Sequence, residues 1–305
     1  MRLLATATIS AAAAALSFPA YAQMLDPSVP QDAFEISKRF QCGTADGAEA
    51  VWHFEGNIYS RVQGEPDRLL FKGDGFNVRR CVEVNDPQRG KGYRLISREV
   101  WFYLDPATGE VINRWTNPWT DETVDVMHIH NDPVNGRPSF PNNTDGSSYS
   151  IPSLRVEGGY VFMPFEVPLF YTNPLAGGYQ DYVGNKYHAM EIFNFMGTAD
   201  DVLDASKPTA YPIIAWTRIS DWMPWMKMSG RQGQMVFNAT GRKLPGGFEE
   251  LPDMIKTEVR TNFPIYENAP PADDTRPNET TWTKFKKLID AERAGQGEST
   301  SNQGH

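Results

Sequence analysis

From Val51 to about Gly241 the chain is a succession of short segments rich in Val, Ile, Phe, Tyr and Trp, separated by turn residues. That pattern commits it to a mainly β fold, because branched and aromatic side chains with period-two alternation suit pleated strands. The clearest hairpin joins EVWFYL to EVINRW through Asp105-Pro106-Ala107-Thr108-Gly109, with Pro early and Gly late in the turn. A second follows, with Asn117-Pro118-Trp119-Thr120-Asp121 leading into ETVDVMHIH. Consecutive hairpins predict an antiparallel meander. So many strands hide their edges most easily by closing into a lipocalin-like barrel.

Further strands are expected over Ile58 to Val62, Leu69 to Val84, Tyr93 to Leu104, Tyr160 to Phe170, Tyr187 to Phe195, Tyr211 to Ser220 and Gln234 to Ala239. Helical pattern comes later. LPDMIKTEVRTNFP predicts one C-terminal helix. NETTWTKFKKLIDAERAG predicts another, with Trp282, Phe285 and Ile289 at i, i+3, i+7 spacing. The stretch from Asn131 to Ser153 is dense in Pro, Asn, Gly and Ser and reads as a long loop, either bordering a site or without a role.

The first residues, MRLLATATISAAAAALSFPAYAQ, combine a basic start at Arg2, an apolar run and an A-x-A site at Ala20-Tyr21-Ala22. They predict a cleavable signal peptide over 1–22 and a periplasmic or secreted protein. The apolar run of about 14 residues falls short of the roughly 20 that span a bilayer. A single β-barrel-like domain with C-terminal helical segments is expected over 23–294, followed by a polar, disordered tail over 295–305. The formal net charge is −9, and losing Arg2 makes it one unit more negative. This acidity argues against nucleic acid or anionic lipid as partner. Oligomeric state is not legible. Cys42 and Cys81 are the two cysteines, either disulfide-bonded in an oxidising compartment or two separate buried thiols.

The run GNIYSRVQGEPDRLLFKGDGFNVRRC, followed by GYRLISREVWFYLDPATGEVINRWTNPWT, resembles bacterial proteins gathered as domain of unknown function 1838. WTRISDWMPWMKMSG and NETTWTKFKKL are similar to that family's closing motifs, so the resemblance covers most of the mature chain. It implies family membership and carries over no catalytic residue.

Candidate chemistry therefore rests on the residues themselves. In YHAMEIFNF, Tyr187, Ala189, Glu191, Phe193 and Phe195 share one strand face and set a carboxylate among aromatic rings. Such an acid either pairs with an arginine or keeps a raised pKa suited to proton transfer. Arg98 and Arg218 are the candidate partners. In the strand around Ile96, Arg94, Arg98, Val100 and Phe102 take one face while Tyr93, Glu99, Trp101 and Tyr103 take the other. Arginines turned inward clamp a carboxylate or phenolate; turned outward they are solvated charges.

His128 and His130 form an H-x-H pair. It is either a metal site completed by Asp132, His188 or Glu191, or His128 is a site or core histidine and His130 its rim neighbour. Trp216, Trp222, Trp225 and Met226 are either a pocket for a flat apolar ligand or a core strand packed under a helix.

Rossmann, P-loop, nucleophile-elbow and haem-attachment motifs are absent, so no nucleotide cofactor is expected. The leading expectation is an exported, cofactor-independent lyase or isomerase acting on a hydrophobic, aromatic small molecule. Glu191 or His128 would be the base, Tyr187 the relay, and Arg98 or Arg218 the oxyanion partner. The alternatives are a lipocalin-like carrier of an apolar ligand and a metal-dependent hydrolase using His128 and His130.

Overall fold

The computed structural model describes residues 23–301. The signal peptide expected over 1–22 lies outside the described residues. Among the described residues eleven strands run in chain order: β1 (Glu49–Arg61), β2 (Arg68–Asp86), β3 (Gly90–Leu104), β4 (Arg114–Thr116), β5 (Thr123–Asp125), β6 (Ile129–Asn131), β7 (Arg155–Glu157), β8 (Tyr160–Thr172), β9 (Lys186–Thr198), β10 (Ile213–Ser220) and β11 (Gln234–Leu244). Four α-helices accompany them: α1 (Pro30–Gln41), α2 (Ala199–Val202), α3 (Asp253–Asn262) and α4 (Thr281–Ser301). The fold is mainly β, as the alternation predicts, with α3 and α4 where the helical patterns lie. Helix α4 continues into the stretch expected to be a tail, whose last four residues lie outside the described ones.

Nine strands form one antiparallel sheet in the order β6-β3-β2-β1-β11-β10-β9-β8-β7. Its two ends are β6 and β7, and no ladder joins them among the described residues. The sheet is nevertheless strongly curled. Trp101 of β3 and Trp216 of β10 have ring centroids 5.9 Å apart, although β2, β1 and β11 lie between their strands. In a flat sheet four strand spacings would separate them by about 19 Å. The inner face is therefore a trough.

Small side chains permit the bend. Gly56 pairs with Gly73 across β1 and β2, and Phe54 lies between Gly75 and Gly241. Trp101 occupies the space over Gly73, where an added Cβ would run into its indole atoms Cζ2, Cε2 and Nε1. Gly73→Ala is expected to push this ring aside and cost about 1–3 kcal/mol, as overpacking does. Chemical denaturation followed by tryptophan emission measures it; an unchanged midpoint would show that the ring has room to move.

Two of the core clusters lie on opposite faces of this sheet. On the outer face, Val51, Phe76, Val78, Val100, Phe102 and Leu244 pack against Ile255 and Val259 of α3. Inside the trough, Trp282, Phe285 and Ile289 of α4 join Trp101, Tyr103, Tyr187 and Phe237. The i, i+3, i+7 stripe of α4 is thus buried as its spacing predicts. Helix α1, which the sequence pattern did not disclose, buries Ile36 and Phe40 against Trp52 and Phe195. Cys42 and Cys81 are disulfide-bonded, fastening the end of α1 to β2.

The first expected hairpin forms only in its turn. Gly109 N–H bonds the Asp105 carbonyl and Leu104 bridges Val111, but Arg114–Thr116 pairs with β5 rather than with β3. The free edge of β3 is already occupied. β6 pairs with Glu99 to Trp101, while Val134, Gly136 and Ser139 bond the backbone of Ser97, Leu95 and Tyr93. Much of the long loop from Asn131 thereby satisfies an otherwise exposed strand edge. The second hairpin, β4 to β5 around Asn117–Asp121, is present.

Candidate active site

Alternation along β9 turns Tyr187, Glu191 and Phe193 into the trough, and alternation along β10 turns Trp216 and Arg218 toward them. Glu191 and Arg218 are register partners, and Arg218 Nη1 donates to Glu191 Oε1 at 2.8 Å. Arg218 Nη2 also donates to the Tyr187 hydroxyl. Among the described residues Glu191 Oε2 takes no hydrogen bond, so one carboxylate oxygen remains for a ligand. The pair is enclosed yet reached by solvent, with side-chain exposures of 15% for Arg218 and 18% for Glu191.

The walls are aromatic. Tyr187 lies 5.0 Å from the rings of both Tyr171 and Trp282. Trp216 touches Trp101, Phe237, Phe54 and Phe193, at centroid distances of 5.9 to 6.4 Å. Phe237 also lies 5.9 Å from the Arg218 guanidinium carbon. On the opposite wall stand Glu99, Trp101 and Tyr103 of β3. Glu99 accepts from Asn131 Nδ2 at 2.6 Å and from Asn77 Nδ2 at 3.4 Å.

Burial pushes the Glu191 carboxyl up, against the pull of Arg218, with nearby Glu99 adding to the rise. Burial likewise raises the Tyr187 phenol. Desolvation works against the charge of Arg218, but Tyr187, Glu191, Tyr103 and Glu99 together outweigh it and hold the guanidinium above its ordinary value. The result is a base that gives up its proton less readily than a free carboxyl, beside a permanently cationic anchor.

Three of the expected catalytic residues therefore meet: Glu191, Arg218 and Tyr187. Arg98 does not join them. It lies on the opposite face of β3 from Trp101 and Tyr103, where it pairs with Asp132 at 2.9 Å and donates to the Ile265 carbonyl. Arg276 bonds the same Asp132, so Arg98 belongs to a buried network that fastens the segment after α3.

His128 also stands apart from Glu191. Its Nδ1 accepts the Tyr103 backbone N–H at 3.2 Å, and its ring packs on Phe102 and Tyr103. Burial lowers its pKa to about 4, with His130 adding to the fall. His130 Nδ1 turns back to the His128 carbonyl at 2.7 Å. Among the described residues no three His, Cys, Asp or Glu side chains gather as a metal-ligand set. Asp132 is engaged by Arg98 and Glu191 by Arg218, so the H-x-H pair has no third partner there.

Because His128 is held neutral while the unfolded chain charges it, its share of stability is present above about pH 6.5 and is lost as pH falls toward 4. That share is about 3 kcal/mol. His128→Gln is expected to flatten this part of the stability profile, read by urea denaturation between the two pH values. An unaltered slope would assign it to other groups.

Of the four expected ligand-facing residues, only Trp216 lines the trough beside Arg218. Trp222 donates to the Arg231 carbonyl at 3.2 Å and packs on Trp119. Trp225 is wedged among Phe71, Tyr103 and Trp115, and Met226 is fully buried. The short 3-10 turn Pro224–Met226 tucks Trp225 and Met226 into the core. Glu99, Trp101 and Tyr103, not among the site candidates, form the far wall. Their shared strand face was readable, but not that it is the concave one.

A groove of about 530 Å³ lies on the outer face between Phe162, Asn194, Ile213, Thr240 and Arg242. His53, one of its lining residues, bonds Asp74 at 2.7 Å. Neither Tyr187, Glu191 nor Arg218 lines it.

No curated protein matches the chain. Residues 47–289 match the family described as a protein of unknown function, DUF1838, a span that includes every strand from β1 to β11 and all the residues of the trough named above. By this match over most of its length, the chain belongs to the DUF1838 family.

Proposed function

We propose that this chain is an exported enzyme of lyase or isomerase type that performs acid–base chemistry on an aromatic small molecule held in the trough, without a nucleotide cofactor. The observation that carries this reading is the direct bonding of Arg218 to both Glu191 and Tyr187 inside an aromatic enclosure. Glu191 takes a proton from the substrate. The proton comes from a carbon beside a substrate carbonyl, so the C–H electron pair moves onto the carbonyl oxygen as an enolate, which Arg218 stabilises. The pair then returns either to take the proton back at another carbon or to expel a β leaving group that takes the proton. Tyr187, held by the same guanidinium, passes the proton on. In this reading the trough serves as a barrel-like cup, with α4 across its opening. The disulfide supports export, since such bonds persist in oxidising compartments.

A carrier would need the rings but not a carboxylate–guanidinium pair among them. Stoichiometry separates the two. Purified protein at low concentration, incubated with an extract of aromatic metabolites, is expected to deplete at least one compound by many equivalents and release a new one, as seen by mass spectrometry. Depletion that stops at one equivalent, with the compound recovered unchanged on denaturation, would establish the carrier instead.

A further inference from the structure

The trough is lined with buried hydrogen-bond donors that have nothing to donate to. Trp101 Nε1, Tyr103 Oη, Trp216 Nε1 and Arg218 Nε are buried atoms without a partner among the described residues. They belong to facing strands: Trp101 touches Trp216, Tyr103 follows Trp101 by two residues on the same face of β3, and Arg218 follows Trp216 by two residues on the same face of β10. Trp101 and Tyr103 are themselves more than nine-tenths buried.

Indole N–H and guanidinium N–H groups donate and never accept, so they cannot satisfy one another. On the acceptor side, both Glu99 oxygens are bonded by Asn131 and Asn77, and Glu191 gives one oxygen to Arg218. Folded proteins pair nearly all such buried groups, so an occupant that brings acceptors would satisfy donors that the neighbouring side chains leave unmet.

We infer that the trough recognises an aromatic oxyanion, a ring system carrying a carboxylate or phenolate together with further oxygen acceptors, and discriminates against the bare hydrocarbon of the same shape. The rings supply stacking surface, and the Arg218 and indole donors meet the oxygens. The inference rests on the reading of the trough as a ligand site, and names the chemical class that site takes.

The test uses the full mature chain and calorimetric titration with matched pairs: para-hydroxybenzoate against para-xylene, and para-hydroxycinnamate against its methyl-for-oxygen hydrocarbon. At least one oxygenated member is expected to bind at least about tenfold more tightly than its hydrocarbon. Tyr103→Phe, which keeps the ring and removes one donor, is expected to narrow that preference, and an unchanged preference in the folded variant would also overturn the inference. Equal or tighter binding of the hydrocarbons would overturn the inference, and so would binding of neither class, which would leave water as the donors' partner. The wild-type comparison decides even if a variant fails to fold.

Failure of this inference is distinguishable from failure of the acid–base reading. Oxyanion binding without turnover would remove the enzyme and keep the donor cage. Turnover of a compound lacking oxygen acceptors would do the reverse.

Discussion

Replacing Arg218 with Met is expected to destabilise the protein by about 3–5 kcal/mol, because it strips a buried carboxylate of its charged partner. Arg218 and Glu191 pair at 2.8 Å with little solvent contact, so the remaining Glu191 must either stay charged without compensation or take up a proton. The Tyr187 hydroxyl loses its donor in the same step. The double variant Arg218→Met with Glu191→Met removes both charges from a trough already lined with Phe54, Phe193, Phe237 and Trp216. It is expected to recover most of the loss, since a hydrophobic replacement for a buried pair is often neutral. Denaturant unfolding of the four proteins of this cycle measures the coupling. Additive losses would mean that the two side chains do not act as a pair.

The second large effect concerns the disulfide. Cys42 and Cys81 are separated by 39 residues, and closing a loop of that length stabilises by about 4 kcal/mol in the chain-entropy model. The double replacement Cys42→Ala, Cys81→Ala is expected to lower stability by about that much. The loss should appear first where α1 meets β2, because the bond joins those elements. Hydrogen exchange resolves this: amides of α1 and the Cys81 region should lose protection ahead of α3. Uniform loss of protection would show instead that α1 unfolds only with the whole sheet.

The strands were legible because burial on one side imposes period two, and β2, β3, β8, β9 and β10 lie where alternating aromatic and branched residues predict them. Helix α1 was less visible, since its buried side includes Ser37 and Arg39 as well as Ile36 and Phe40. The site was legible in part. Tyr187, Glu191 and Arg218 occupy two neighbouring strands, so alternation alone puts them near one another once those strands pair. Arg98 was misread for a nonlocal reason. Alternation separates it from Trp101 and Tyr103 but does not say which face is concave, and the curl that decides this depends on glycines such as Gly73 lying under Trp101. Trp225 and Met226 were ambiguous because aromatic and thioether groups suit a pocket and a core equally well. Their place was set by a short turn.

Proton transfer by Glu191 in the trough is tested most directly by comparing the initial rate at which wild type and Glu191→Gln consume the compound depleted from the metabolite extract. Both proteins should bind it and unfold at similar denaturant concentrations, since the amide preserves shape and still accepts from Arg218. The variant is expected to turn the compound over about 10²–10⁴-fold more slowly, the usual contribution of a positioned general base. A Glu191→Gln protein that turns the compound over at the wild-type rate would contradict that role.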